Sequence, residues 1–329
     1  MISGINILSL LWLLVAIGIF CAYLLFLLNE DLSLIILPVK SLFLFGKCLH
    51  RHSHINKRAD SSLPNEVEAT GTGIPGIPGS LSVPKSWFKH FYITGIICHS
   101  LAFIVLVSCL FGGPGCVIIK DLQYWVIWHS LYSAEYKFDD SALPVLLVFL
   151  LEWLQIFRRA YECFYVSSFS KSTINISHYI IGLCFYSLFG IGLLISLPLE
   201  KLAFSTPNVL EVVRYIIAVA IFVWAFHFQH RSMLTLASLR QEQKDKPPDG
   251  HFVPHGHLFD LVSSPHYLCE VIIYTAFCFM FKFENMYLNC VAVFVWTNQV
   301  IESKISHKWY TDHFPNYPAH RKTLIPYLW

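Results

Sequence analysis

Three short stretches of the chain gather most of the side chains that could do chemistry. The first, Arg158-Arg159-Ala160-Tyr161-Glu162-Cys163-Phe164-Tyr165, sets two guanidiniums beside a carboxyl and two phenols. Arg158 and Glu162 are four apart, so on a helix they share a face and can pair. Arginines in such a place either anchor a helix at the headgroups or offer a fork to a phosphate. The second stretch, Pro265-His266-Tyr267-Leu268-Cys269-Glu270, puts Tyr267, Glu270 and Tyr274 on one helical face, with His266 over Glu270. A carboxyl one turn inside an apolar helix is expensive unless it is paired, which makes Glu270 a functional candidate beside its plainer reading as a buried strut. The third, Ser306-His307-Lys308-Trp309-Tyr310, brings His307 and Tyr310 to one face if it is helical. It runs into a polar segment and the apolar end Leu324–Trp329, which by themselves read as an interfacial amphipathic tail. His251, His255 and His257 also cluster, but in a loop with no fixed period, no thiolate and only Asp249 and Asp260 nearby. That spacing is a poor metal set, and no metal is expected.

The elements that must position these residues are membrane helices. Of 329 residues 55% are hydrophobic and 13% charged, against about 25% charged in soluble domains. The apolar surplus falls into blocks close to the ~20 residues needed to cross a bilayer. Spans are predicted at Ile7–Leu28, Phe91–Leu110, Ala142–Phe157, Ser177–Leu197, Val209–Phe228, Tyr267–Phe281 and Asn285–Ile301. Leu32–Phe45, broken by Pro38 and Lys40, and Val117–Trp128, holding Lys120, Asp121 and Gln123, read as interfacial or re-entrant. The expected fold is an all-α integral membrane protein, a bundle of about seven transmembrane helices. The first span lacks a basic segment before it and is long for a signal peptide, so it reads as a retained anchor.

All but five of the 23 lysines and arginines fall on the side of the C-terminus; Lys120, Lys137, Lys201, Arg214 and Lys282 are the exceptions. The positive-inside rule makes the richer side cytoplasmic and the N-terminus lumenal or exterior. The Ser-, Gly- and Pro-rich segment Arg51–Lys85 cannot pack a core and reads as a loose loop. Residues 1–80 thus form an anchor with a loop, and 81–329 the working domain. Gly71-Thr72-Gly73-Ile74-Pro75-Gly76 matches G-x-G-x-x-G in form, but no strand precedes it and Pro75 and Pro78 oppose the helix that should follow. No Rossmann domain is expected, and nothing supports nucleic-acid binding. The ten cysteines show no C-x-x-C pair and read as small buried hydrophobes.

In their order and spacing these segments resemble the steroid 5α-reductase family. The resemblance rests on Val83–Tyr92, Arg158–Ser170, Leu239-Arg240, Pro254–Glu270 and His307–Trp329, and on the ending Tyr317-Pro318, Arg321-Lys322, Ile325-Pro326. It is strong over roughly the C-terminal two thirds and weak in the first 80 residues. It implies a seven-helix bundle that takes NADPH from the cytosol, with Arg159, Arg240, Gly256, His266, Glu270, His307 and Tyr310 contacting or framing the cofactor. Gln229 stands where the steroid enzymes usually have Asn for the nicotinamide end. Ile156 occupies the place of their catalytic Tyr, and their Gln-Glu pair on the second helix has no counterpart here. The resemblance is therefore to the members that saturate the α-isoprene unit of a polyprenoid lipid, with dolichol for protein N-glycosylation as product and the endoplasmic reticulum membrane as location. 3-Oxo-Δ4 steroids would be a side activity at most. A very-long-chain enoyl-thioester reductase is the enzymatic alternative, and a transporter or receptor without catalysis the other. Hydride adds readily to a C=C conjugated to a carbonyl, whose oxygen then needs a donor. The resemblance points to Tyr267 for that donor, with Tyr161 and Tyr165 in reserve. A phenol, with its ordinary pKa of about 10, keeps its proton at neutral pH.

Overall fold

The computed structural model describes residues 6–28, 82–128, 141–167, 169, 173–197, 199, 201–242 and 252–329. They are mostly helical. In chain order they form α1 (Ile7–Leu28), β1 (Ser82–Pro84), α2 (Phe88–Leu110), α3 (Gly115–Trp128), α4 (Ala142–Tyr161), a π turn (Glu162–Val166), β2 (Thr173–Asn175), α5 (Ile176–Ile195), α6 (Val209–Glu242), a 3-10 turn (His257–Asp260), α7 (Pro265–Met280) and α8 (Met286–His313). Leu32–Phe45, His251 and most of the loop between Arg51 and Lys85 lie outside the described residues.

Among the described residues four helical stretches are long and apolar enough to cross a membrane: Ile7–Leu24, Lys85–Leu110, Ile176–Ile195 and Val209–Gln241. α4 interrupts its apolar run with Glu152, Gln155, Arg158 and Arg159, and α7 is short at 16 residues. Side chains such as Leu14, Ile97, Ile104, Ile180 and Ile216 are exposed, the pattern of helices that meet lipid on one side and protein on the other.

Two helices run well past the blocks that hydropathy marks. α6 has 34 residues, about 51 Å at ~1.5 Å per residue, against a hydrocarbon core of ~30 Å. It is thus longer than one crossing requires, and its C-terminal third carries Arg231 and Arg240. α8, with 28 residues, likewise extends to His307 and Tyr310. The Val117–Trp128 stretch is the 14-residue helix α3, whose Gln123 donates to the carbonyls of Leu194 at 3.0 Å and Leu197 at 2.7 Å. It thereby satisfies acceptors that the end of α5 leaves open.

The core joins α1, α2, α4, α5, α6, α7 and α8 through Trp12, Leu106, Phe149, Phe189, Phe222, Phe277 and Phe294. α6 packs along α7, α2 along α5, and α1 along α8. Close approach depends on glycine: a Cβ on Gly192 would run into the ring of Tyr287, whose hydroxyl donates to the Leu188 carbonyl at 3.0 Å. β1 and β2 pair antiparallel, Val83 opposite Ile174, tying the entry of α2 to that of α5. Asn175 then caps α5, accepting from the Ser177 amide at 2.8 Å.

Candidate active site

The buried side of α4 is apolar in its first half and carries Glu152, Gln155 and Arg158 in its second, and that polar row builds the site. Arg158 Nη2 donates to Gln155 Oε1 at 2.6 Å and to Gln229 Oε1 on α6. Its Nη1 donates to Glu162 Oε1 and to the Phe226 carbonyl, both at 3.0 Å, with the guanidinium 4.2 Å from the centre of the Phe226 ring. Arg159 donates to the second oxygen of Glu162 and, at 3.1 Å, to the Tyr92 hydroxyl on α2. His230 Nδ1 lies 2.8 Å from Glu162 Oε1. Glu162 is buried, which works to raise its pKa; Arg159 and Arg158 outweigh that and hold the carboxyl below its ordinary range. The pairing of Arg158 with Glu162 expected from their spacing is present. Both arginines, however, spend donors on the protein itself, so Arg158 acts as a strut between α4 and α6.

Deeper in the bundle the row meets α7. Gln155 Nε2 donates to Gln229 Oε1 at 2.8 Å, and Gln229 Nε2 donates to Glu270 Oε2 and, at 3.2 Å, to the His266 carbonyl. Gln155 and Gln229 are each only 2% exposed, so these are interior contacts and worth more than surface ones. His266 lies against Tyr267 with ring centres 4.1 Å apart and the rings tilted at 46°, and its buried Nδ1 meets no hydrogen-bond partner among the described residues. One turn further in, the Tyr274 hydroxyl donates to Glu152 Oε1 at 3.2 Å.

At the basic end the tail folds back over the segment that precedes α7. Ser263 Oγ shares hydrogen bonds with His307 Nδ1 at 2.6 Å and the Tyr317 hydroxyl at 2.7 Å. Tyr310 stacks on Tyr317 at 5.5 Å, so the expected common face of His307 and Tyr310 is used to hold the tail. Arg321 donates to the Pro254 carbonyl at 3.0 Å, and Lys322 exchanges backbone bonds with Leu261 and Ser263. Gly256 takes φ 89°, a conformation that favours glycine, and its amide donates to Asp260 at 2.9 Å. His255 and His257 are exposed, and among the described residues no three His, Cys, Asp or Glu side chains converge as a metal set.

The structure brings Arg159, Gln229, His266 and Glu270 together at the junction of α4, α6 and α7. It sets Arg240, Gly256, His307 and Tyr310 around the basic end, where Arg240 is within electrostatic reach of Tyr310 and Tyr267. Tyr267 packs beside Leu261, Val262, Leu268 and Leu324 near the tail. Tyr161 and Tyr165 are 54% and 80% exposed and touch none of the network. Sequence reasoning passed over Glu152, Gln155, Tyr92 and His230. The signal for the first two was there: a carboxyl and an amide three apart inside an apolar helix.

The sequence profile of the 3-oxo-5-alpha-steroid 4-dehydrogenase family matches residues 170–329. The chain is 32% identical to a polyprenal reductase of Homo sapiens over 79% of its own length and 83% of that protein. It is 33% identical to one of Xenopus tropicalis over 79% and 84%, and 28% identical to one of Rattus norvegicus over 99% and 97%. The chain belongs to the steroid 5α-reductase family of oxidoreductases, which act on carbon–carbon double bonds.

Proposed function

We propose that the chain reduces the α,β double bond of polyprenal with NADPH, giving dolichal on the way to dolichol for protein N-glycosylation. The observation that carries the reading is the buried chain of hydrogen bonds from Gln155 through Gln229 to Glu270, lying below an end rich in Arg, His and Tyr. The likeness to curated polyprenal reductases supports the substrate.

The residues present fit NADPH. Among the described residues His266 Nδ1 meets no partner and a Cβ on Gly256 would touch nothing, and Glu270 offers a carboxyl beside the Gln229 amide. Arg159, Arg240, His307 and Tyr310 complete the proposed cofactor set. When bound, NADPH supplies the hydride. The chain's own residues orient the reacting ends, exclude water and supply a hydrogen-bond donor to the substrate oxygen. A seven-span bundle in the endoplasmic reticulum membrane would suit this chemistry, with the N-terminus lumenal and Arg240, His307 and the tail facing cytosolic NADPH.

Chemistry favours the aldehyde over the alcohol. The α-double bond of polyprenol carries only an allylic hydroxyl and offers no sink for the incoming electron pair, whereas polyprenal is a conjugated enal. The test uses purified protein with NADPH and, in separate reactions, polyprenal, polyprenol, a 3-oxo-Δ4 steroid and an enoyl thioester. Rapid NADPH oxidation with polyprenal is expected. A preference for the thioester or the steroid would replace the substrate reading, and turnover of pure polyprenol with no aldehyde detectable would defeat the enal mechanism.

A further inference from the structure

Glu152 is 1% exposed, and its Oε2 meets no hydrogen-bond partner among the described residues. Its Oε1 accepts from the hydroxyl of Tyr274, itself 2% exposed and packed among Phe185, Phe189 and Phe277. A buried carboxyl with one oxygen idle is expensive to keep for structure alone. Leucine at 152 would fill the same apolar surroundings without that penalty.

The position of the pair suggests its use. Glu152 precedes Gln155 by three residues on α4, and Tyr274 follows Glu270 by four on α7, about 6 Å along the axis. Both therefore lie one turn further into the bundle than the Gln155–Gln229–Glu270 chain, away from the basic end. Tyr267 lies on the opposite side of Glu270, toward the tail. A substrate that meets the cofactor's reacting end at Glu270 and Gln229 must bring its carbonyl in from the apolar side, where Tyr274 and Glu152 stand. Ile156, one turn from Glu152, is buried and has no donor to offer.

We propose that Tyr274 is the catalytic donor to the substrate's carbonyl oxygen and that Glu152 is its positioning and proton-returning partner; this rests on the enal-reductase reading above. As the C3–H bond forms, the C2=C3 electron pair moves to C1–C2 and the carbonyl pair moves onto oxygen. The Tyr274 hydroxyl turns to that oxygen and gives up its proton, and the protonated Glu152 carboxyl makes good the loss. When the enol becomes the aldehyde, C2 takes a proton from solvent and the enol O–H proton returns through Tyr274 to Glu152. The sum is one hydride and one proton added across C2=C3.

The experiment compares Tyr274→Phe, Glu152→Gln and Glu152→Asp with wild type in purified, NADPH-loaded protein. Cofactor binding is followed separately, by the thermal shift that NADPH produces. Tyr274→Phe should lower kcat and kcat/KM for polyprenal together, by on the order of 10²-fold or more, with the NADPH shift retained. Glu152→Gln should lower kcat at least 10-fold and alter its pH profile, while Glu152→Asp recovers part of the rate; a strut would change stability and leave the profile alone. Difference infrared spectra should lose a protonated-carboxyl band in Glu152→Gln. Wild-type kcat in Tyr274→Phe overturns the proposal, and a wild-type pH profile in Glu152→Gln removes Glu152 from it. If wild type reduces another conjugated carbonyl but not polyprenal, the substrate reading fails while the same variants, assayed on that carbonyl, still judge the pair. A wild type inert toward every conjugated carbonyl overturns both.

Discussion

Gln155 on α4 donates to Gln229 on α6 across 2.8 Å, and Gln229 reaches Glu270 on α7, so one chain of hydrogen bonds joins three helices. Gln155→Leu takes one donor from Gln229 and leaves a buried Arg158 N–H without its acceptor, while an apolar side chain of similar size fills the space. Leaving such a buried group unsatisfied costs about 1–3 kcal/mol. The thermal midpoint should fall and NADPH-dependent turnover should drop at least 10-fold. A variant that melts and turns over like wild type would show that the chain of bonds is incidental.

Glu270→Gln keeps the shape of the side chain and removes its charge. Because Gln229 donates to this carboxyl, the amide in its place can face Gln229 with either its oxygen or its nitrogen, and the order at the cofactor end is lost. Turnover should fall by about 10²-fold and the NADPH-induced thermal shift should shrink. Unchanged NADPH kinetics would remove Glu270 from the cofactor set.

Tyr267→Phe separates the two tyrosines of α7. Tyr267 lies toward the tail, within reach of Arg240, so its loss should raise the KM for NADPH severalfold with kcat nearly unchanged. A large fall in kcat with KM unchanged would make Tyr267 the oxygen-facing donor instead of Tyr274.

Much of this was legible beforehand, for definite reasons. Arg158 and Glu162 pair because residues four apart on a helix must meet, and His307 and Tyr310 share a face by the same geometry. The lengths of α6 and α8 were not legible, since hydropathy marks only the apolar blocks, expected to end at Phe228 and Ile301, and a helix continues past such a block on other grounds. The β1–β2 pair joins three-residue strands some 90 positions apart, one of them ending in Pro84, and no local pattern announces it. Glu152 stands alone in the apolar run Ala142–Leu154, where hydropathy averages it away, although a carboxyl there costs as much as Glu270 does on α7. Tyr161 and Tyr165 looked available, but Tyr161 precedes and Tyr165 lies within a π turn over Glu162–Val166 that keeps Glu162 inward and leaves both phenols exposed, an arrangement helix periodicity does not foresee.

His307 gives the tail a pH dependence. Burial, and then Arg321 nearby, push its pKa below the ordinary value of about 6.5. A folded-state pKa below the unfolded one means the unfolded chain takes up the proton first, so stability is full above pH ~6.5 and is lost as pH falls below it. Ser263, Tyr317 and Arg321 face this ring, and the joint between the tail and the segment before α7 should loosen first. Protection of the Ser263 and Lys322 amides against hydrogen exchange, taken relative to the intrinsic rate at each pH, should fall between pH 7 and pH 5, and His307→Asn should flatten that response. Equal protection at both pH values would contradict it.

Topology has its own test. The positive-inside orientation puts Asn175-Ile176-Ser177 on the cytoplasmic side, and the Asn175 side chain is occupied in capping α5. The sequon should stay unmodified in cells. A glycosidase-sensitive mobility shift traced to Asn175 would reverse the whole orientation.

The most direct test follows the hydrogen itself. Purified protein is given polyprenal and NADPH carrying deuterium at its transferable position, and the product is read by mass spectrometry and NMR. One deuterium should appear at C3 of dolichal, with C2 acquiring hydrogen from solvent and the aldehyde intact. Deuterium at C1, with the double bond retained, would mean carbonyl reduction and would contradict the account.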